Sequence, residues 1–232
     1  MIELRIKEKD IRFQLPANWS EVTFDMFQKY MEGVDDAERL AALSGLDVAI
    51  FRSAPAEISL VVTKMLGYLT EFPDLVNMPV PKTMPTHYNE EIDVPKSISS
   101  ECSFGQKIMV DDELRGIIRT GKEPDFVNMA YMIVSIYMYK FITGKELTDV
   151  AQVEETKDIV LFWPCLDVLR LSSFFLDNTI NQKHSGQISY RQVAKPGSNR
   201  LLRLLPLWFR DWLSFKTITR YKRLPIVGES KT

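Results

Sequence analysis

The sequence predicts a mainly α fold: a helical bundle with a small N-terminal β-hairpin and an extended, basic C-terminal arm. Three observations predict it. Residues 2–6 and 11–15 alternate apolar and polar, the period of a half-buried strand. From residue 24 to about 182, apolar residues recur at helical spacing in segments bounded by capping residues, glycines and prolines. Residues 191–232 then change composition to Arg, Lys, Leu and Trp.

The two alternating runs, IELRI and IRFQL, flank the polar stretch KEKD and read as one hairpin that Pro16 ends. Ser20 or Thr23 is placed to cap a helix running to Met31, with Phe24, Phe27 and Tyr30 on one face. Gly33 closes it. A second helix spans 35–43, with acids at its start and Gly45 at its end, as the helix dipole and the left-handed C-cap favour. A short helical turn covers 47–52. Pro55 suits the first position of a helix reaching about Leu69, with Ile58, Val62, Met65, Leu66 and Leu69 on its apolar face.

Residues 72–96 contain five prolines (Pro73, Pro79, Pro81, Pro85 and Pro95), which no helix crosses. This stretch is expected to be an extended connector with a short strand at 91–94. Beyond it, Ser103 precedes a helix at 104–119, and Pro124 opens another at 125–143, stopped by Gly144. Thr148 or Asp149 caps a short helix to about Lys157. Pro164 opens a long helix to about Gln182, with Leu166, Leu169, Phe174 and Phe175 on its apolar face. Residues 185–198 are polar, carry Gly186, Pro196 and Gly197, and read as a linker. The resulting division is 1–71 (hairpin plus helices), 72–100 (Pro-rich connector), 101–190 (helical domain) and 191–232 (basic aromatic arm).

The chain is long enough for a real core, with 232 residues of which 45% are hydrophobic. Its formal charge of -2 conceals an asymmetry. The arm holds ten of the 29 basic and two of the 31 acidic residues, which leaves 19 basic and 29 acidic residues for the body. The two cysteines, Cys102 and Cys165, lack metal-type spacing and read as reduced core thiols. The opening MIELRIKEKD has no apolar h-region, so no secretory leader is expected, and the sequon at Asn18 is then idle. Residues 126–143 approach membrane-span length, but their aromatic and polar content is that of a core helix. Residues 159–176 are interrupted by Pro164, Asp167 and Arg170.

Reaction chemistry finds little purchase. Residues 116–123 (GIIRTGKE) come near a phosphate-binding loop, but Glu123 stands where a magnesium-binding hydroxyl is needed, and the preceding residues read as helix. His87 and His184 are the only histidines, neither grouped with other ligands. The acids Asp111, Asp112 and Glu113, and the pair Asp35 and Asp36, read as solvated or dipole-complementing groups. The expectation is a protein with no catalytic residue, no cofactor and no metal. The helix at 128–140, rich in Met and Tyr, reads as a central core helix or as one shared with a neighbouring subunit.

The arm is the candidate binding element. Pro206 breaks its Leu-rich start, and a helix beginning near Leu205 places Trp208, Trp212 and Phe215 at i, i+4 and i+7, one large aromatic face. Arg200, Arg203, Phe209, Arg210, Arg220, Tyr221, Lys222 and Arg223 complete the candidate partner-binding set. Three dockings follow from this pattern: on the chain's own acidic body, on another subunit through aromatic anchors ringed by arginine, or on a membrane or nucleic acid. An acidic body repels a nucleic-acid backbone, which weighs against the last, and no small-molecule substrate is expected.

The order of short motifs also carries a resemblance. Residues 15–30 (LPANWSEVTFDMFQKY), 40–46 (LAALSGL), 92–95 (IDVP), 104–106 (FGQ) and 174–176 (FFL) follow one another. Over residues 1–180 this order resembles small virion-assembly proteins of tailed bacteriophages infecting Bacteroidetes, the crAss-like phages among them. The resemblance implies a non-enzymatic virion structural protein, a ring or adaptor subunit of the tail or head–tail connector. It would be made in the host bacterial cytoplasm and would contact copies of itself and other phage structural proteins. The alternatives are a tail assembly chaperone absent from the mature virion, and a membrane- or nucleic-acid-binding accessory protein. The arm lies outside the resemblance, and a subunit-bridging tail is more in keeping with a virion component than with a chaperone.

Overall fold

The computed structural model describes residues 1–6, 10–55, 58, 62, 64–71, 73–75, 77–86, 88, 90–120 and 125–185, with the backbone alone at 70, 117–120 and 180–185. Among these the protein is mainly helical, with eight α-helices and two small antiparallel hairpins.

Strands β1 (Ile2–Ile6) and β2 (Ile11–Leu15) pair antiparallel, with Ile2 opposite Leu15 and Ile6 opposite Ile11. The alternation turns Ile6, Phe13 and Leu15 inward, and Phe13 meets Phe51 edge-on at 5.3 Å between ring centroids. Asn18, not Ser20, caps a 3₁₀ turn at Trp19–Glu21, and Thr23 then caps α1 (Phe24–Glu32) by accepting the Met26 N–H at 3.3 Å. Helix α2 (Asp36–Ser44) starts at Asp35, whose carboxylate accepts the Glu38 N–H at 2.8 Å and pairs with Arg52 at 3.1 Å. That backbone hydrogen bond, with the Arg52 guanidinium behind it, holds the Asp35 carboxyl below its usual range. Gly45 ends α2 at φ 71°, a left-handed geometry that costs glycine nothing. Asp47 caps α3 (Val48–Arg52).

The helix expected at 55–69 falls partly outside the described residues. Ile58, Val62, Lys64 and Met65 are helical, and the chain tightens into a 3₁₀ turn at Gly67–Thr70. There Tyr68 donates its hydroxyl to the Pro16 carbonyl at 3.0 Å, and the Trp19 indole donates to the Tyr68 carbonyl at 3.0 Å.

The Pro-rich stretch is more structured than an extended connector. β3 (Thr83–Pro85) pairs with β4 (Glu91–Asp93), with Met84 opposite Ile92, and both of those side chains are buried. The expected strand at 91–94 is therefore half of a hairpin. Its partner escapes a reading that treats prolines as breakers, because Pro85 sits at the end of a two-stranded edge where no ladder hydrogen is required of it.

In the second half, α4 (Ile98–Glu101) is a short turn the sequence did not announce. It is followed by α5 (Phe104–Thr120) and α6 (Phe126–Thr143). Asp125 caps α6, and Gly144 closes it at φ 70°. Asp149 caps a 3₁₀ segment, Val150–Thr156, and its own N–H donates to Gln152 Oε1 at 3.1 Å; only then does α7 (Lys157–Phe162) begin. The single helix expected to end near Lys157 is thus a 3₁₀ turn leading into a later α-helix. Pro164 precedes α8 (Cys165–Ser185).

Helix α6 is the axis of the fold. Eleven of its residues are buried, on every face, and α5, α7 and α8 all pack against it. It is the one described helix long and apolar enough to cross a membrane, and 61% of its apolar window is buried inside the protein, as befits a core helix. The N-terminal elements join the same core. The Phe24 N–H donates to the Trp163 carbonyl at 2.9 Å, and the Cys165 N–H to the Val22 carbonyl at 2.8 Å. The Trp163 indole donates to the Pro85 carbonyl, and Arg170 Nε to the Met78 carbonyl, both at 2.7 Å. Buried residues from Ile6 to Leu176 form one contiguous cluster, fed by all three stretches 1–71, 72–100 and 101–190.

Candidate interaction surface

The predicted partner-binding residues Arg200, Arg203, Leu205, Trp208, Phe209, Arg210, Trp212, Phe215, Arg220, Tyr221, Lys222 and Arg223 lie outside the described residues. What the described body offers to a partner is decided by how α5 sits on α6.

Ser103 and Gln106 lock the start of α5. The Gln106 N–H donates to Ser103 Oγ at 3.2 Å, and the Ser103 N–H donates back to Gln106 Oε1 at 2.8 Å, a capping box. The amide end of Gln106, buried in the core, donates through Nε2 to the Ile136 carbonyl at 2.6 Å. Val110, one turn further on, is fully buried. These two side chains fix the rotation of α5, and the rotation sends another stripe outward. Phe104 and Ile108, four residues apart, are 75% and 45% exposed. Arg115 continues the stripe at i+11, whereas Asp111 is half-buried with its Oδ1 withdrawn from solvent. An exposed phenylalanine and an exposed isoleucine one turn apart make an apolar pair that burial would favour by roughly 3 kcal/mol if fully covered. Its acidic sequence neighbours are turned elsewhere: Glu101 Oε1 accepts the Lys96 and Ser97 N–H groups, and Glu113 lines the slot between α5 and α6. Arg115 forms a loose 3.7 Å exposed pair with Asp112. Beside the stripe, a 120 Å³ slot between α5 and α6 is lined by Val110, Leu114, Met129 and Met132.

Behind this surface the polar groups are used for structure. Thr179 donates to the Phe175 carbonyl at 2.7 Å, which leaves its oxygen to accept the Tyr137 hydroxyl at 2.6 Å. Tyr139 donates to the Glu155 carboxylate at 3.1 Å, and Tyr131 to the Val153 carbonyl at 3.3 Å. Burial pushes the Tyr137 hydroxyl and the Cys102 thiol each up to about 12, and the Cys165 thiol well above its ordinary value. Both thiols are therefore protonated at neutral pH and poor nucleophiles.

A second concavity, an open groove of about 680 Å³, runs between α1 and α2 past Gln14, Lys29, Glu38 and Ser44. Its charged groups are engaged with neighbours: Lys29 with Asp25 at 2.7 Å, and Glu38 with Arg52 at 2.7 Å. Among the described residues no group of three or more His, Cys, Asp or Glu side chains is placed to hold a metal ion. Gly116 of the loop-like stretch lies inside α5, where a phosphate-binding loop needs a strand before its first glycine; residues 121–123 lie outside the described residues. His87 also lies outside them, and His184 is on the last turn of α8.

Phe104 and Ile108 are the surface residues that sequence reasoning passed over. The signal was present: the apolar pair falls off the stripe defined by Gln106 and Val110. Reading it required knowing that a glutamine, rather than the phenylalanine, faces the core.

The fold and the surface define a mainly α protein, a one-core helical body with hairpin additions and an exposed apolar pair on one helix. Compared with protein-family models, curated proteins and solved structures, the chain matches none.

Proposed function

We propose that this protein is a non-enzymatic structural protein of a bacteriophage virion, a ring or adaptor subunit of the tail or head–tail connector that uses its C-terminal arm for contacts between subunits. The observation that carries the binding part of this reading is the Phe104–Ile108 face. A body that buries Trp19, Trp163, Tyr131, Tyr137, Tyr139 and Gln106 in hydrogen-bonded contacts leaves Phe104 open to solvent on a capped helix. The interior supports it. Its tyrosines and thiols are kept neutral and tied to packing, the arrangement of a scaffold rather than of a proton-transfer site. The phage setting rests on the motif order over residues 1–180.

Mass spectrometry of purified virions of a phage encoding the chain tests the reading. Stoichiometric presence alongside the tail or connector proteins is expected. Presence in infected cells with absence from the finished particle overturns it in favour of an assembly chaperone.

A further inference from the structure

We propose that residues 150–156 are a two-state element, held as a 3₁₀ helix by the Tyr131 hydroxyl and able to convert into an α-helix continuous with α7. Local preference and observed form disagree here. Ala151, Gln152, Glu154, Glu155 and Lys157 are good α-helix formers or tolerated ones, and Asp149 is a good α-helix cap. The structure instead holds the seven residues Val150–Thr156 as a 3₁₀ helix. Runs beyond about four residues of this kind are uncommon, because the hydrogen-bond geometry is poorer than in an α-helix. A segment that departs from its own preference is held by contacts from elsewhere in the fold.

That hold is visible at one carbonyl. The Lys157 N–H donates to the Glu154 carbonyl, three residues back. In an α-helix it would donate four residues back, to the Val153 carbonyl. The Val153 carbonyl accepts the Tyr131 hydroxyl at 3.3 Å and the Thr156 hydroxyl at 2.8 Å. Thr156 belongs to the segment itself, so its bond is local. Tyr131 reaches in from α6, and its hydroxyl competes for the lone pairs that the α-helical bond would use. Burial follows the 3₁₀ spacing, with Val150 half-buried and Val153 and Thr156 buried. Tyr139, further along α6, donates to the Glu155 carboxylate at 3.1 Å, and Lys145 pairs with the same carboxylate at 3.3 Å. Those contacts hold a side chain and leave the backbone choice to Tyr131.

Conversion has a defined geometry. An α-helix rises about 0.5 Å less per residue than a 3₁₀ helix and turns about 20° less. Over seven residues the segment shortens by about 3.5 Å and unwinds by about 140°. Gly144, Lys145 and Glu146, all exposed, lie between the end of α6 and the buried Leu147 and supply the slack. The unwinding redirects the exposed Glu154 and Glu155. A partner that binds one arrangement of these side chains better than the other shifts the balance between the two forms. The element stands whether or not the protein belongs to a virion.

Nuclear magnetic resonance of the full-length chain distinguishes the forms. A 3₁₀ helix gives contacts from each α-proton to the amide two residues on, and an α-helix gives contacts to the amide four residues on. The wild-type chain is expected to show the first pattern across residues 150–156. Tyr131→Phe, which keeps the ring and removes the hydroxyl, should lose it and gain the contact from the Val153 α-proton to the Lys157 amide. Tyr131→Met, which also lacks a hydroxyl, should do the same. Tyr139→Phe should keep the wild-type pattern. An α-helical pattern already present in the wild-type chain overturns the proposal. So does a 3₁₀ pattern that survives in both Tyr131 variants, or the loss of both patterns in them. Conversion by Tyr139→Phe as readily as by Tyr131→Phe also overturns it, and moves the hold to Glu155.

Discussion

Helices α5 and α6 are nearly the same length, 17 and 18 residues, and they pack against each other, yet they are built on opposite plans. Helix α6 is covered on all sides: α5, α7 and α8 use separate faces, and its tyrosine hydroxyls each find an acceptor. Helix α5 leans on one neighbour through Gln106 and Val110 and leaves Phe104 and Ile108 outside. The contrast teaches that residue type alone did not assign these roles. A buried glutamine and an exposed phenylalanine two residues apart reverse the usual order, and they do so because the glutamine satisfies two donors and acceptors at once.

Substitutions should separate the two helices in the size of their effects. Tyr137→Ala removes a fully buried ring that packs on Phe175 at 5.0 Å, and is expected to cost about 4 kcal/mol in urea unfolding. A loss below about 1 kcal/mol would mean that α6 is not the axis of the core. Gln106→Leu keeps the volume but removes the bonds to the Ile136 carbonyl and the Ser103 N–H. It should cost about 2 kcal/mol by the same measurement, with the α5 amides losing hydrogen-exchange protection before those of α6.

Alkaline titration probes the same contrast through the buried hydroxyls and thiol. Tyr68, Tyr137 and Cys102 are raised from 10.0, 10.0 and 9.0 to about 12 by burial. Between the unfolded and folded values the unfolded chain binds fewer protons than the native one, so stability falls as pH rises. The contribution is fully present below about pH 9 and declines between about pH 9 and 12. Tyr137→Phe leaves Thr179 bonded to the Phe175 carbonyl and should flatten this decline; an unchanged slope would remove Tyr137 from it. The smallest effect belongs to α5. Phe104→Ala should shift stability of the body by no more than about 0.5 kcal/mol, since the side chain is open to solvent. A larger loss would show that Phe104 is covered in the free protein.

Much of the architecture was legible. Period-two alternation gave the hairpin, because one face of IELRI and IRFQL had to be buried. The cap at Thr23, the helix starts at 35 and 125 within one residue, and the stops at Gly45 and Gly144 were readable because an orphaned backbone group or a positive φ selects few residue types. The β3–β4 hairpin, the α4 turn and the 3₁₀ segment before α7 were not. Each is short, and each is held by distant partners such as Trp163 reaching the Pro85 carbonyl, which leave no local pattern. The candidate surface divides in the same way. The arm was singled out by its own composition, whereas Phe104 and Ile108 became visible only once α5 was rotated onto α6.

By itself, the sequence determined the class of fold, the helix ends and the opposition of an acidic body to a basic aromatic arm, since periodicity, capping and charge are local properties. Only the tertiary structure decided that Gln106 rather than Phe104 faces the core, and that α5 and α8 both pack on α6. Those choices depend on which carbonyl and which hydroxyl of α6 stand opposite, a matter of packing between segments far apart in the chain.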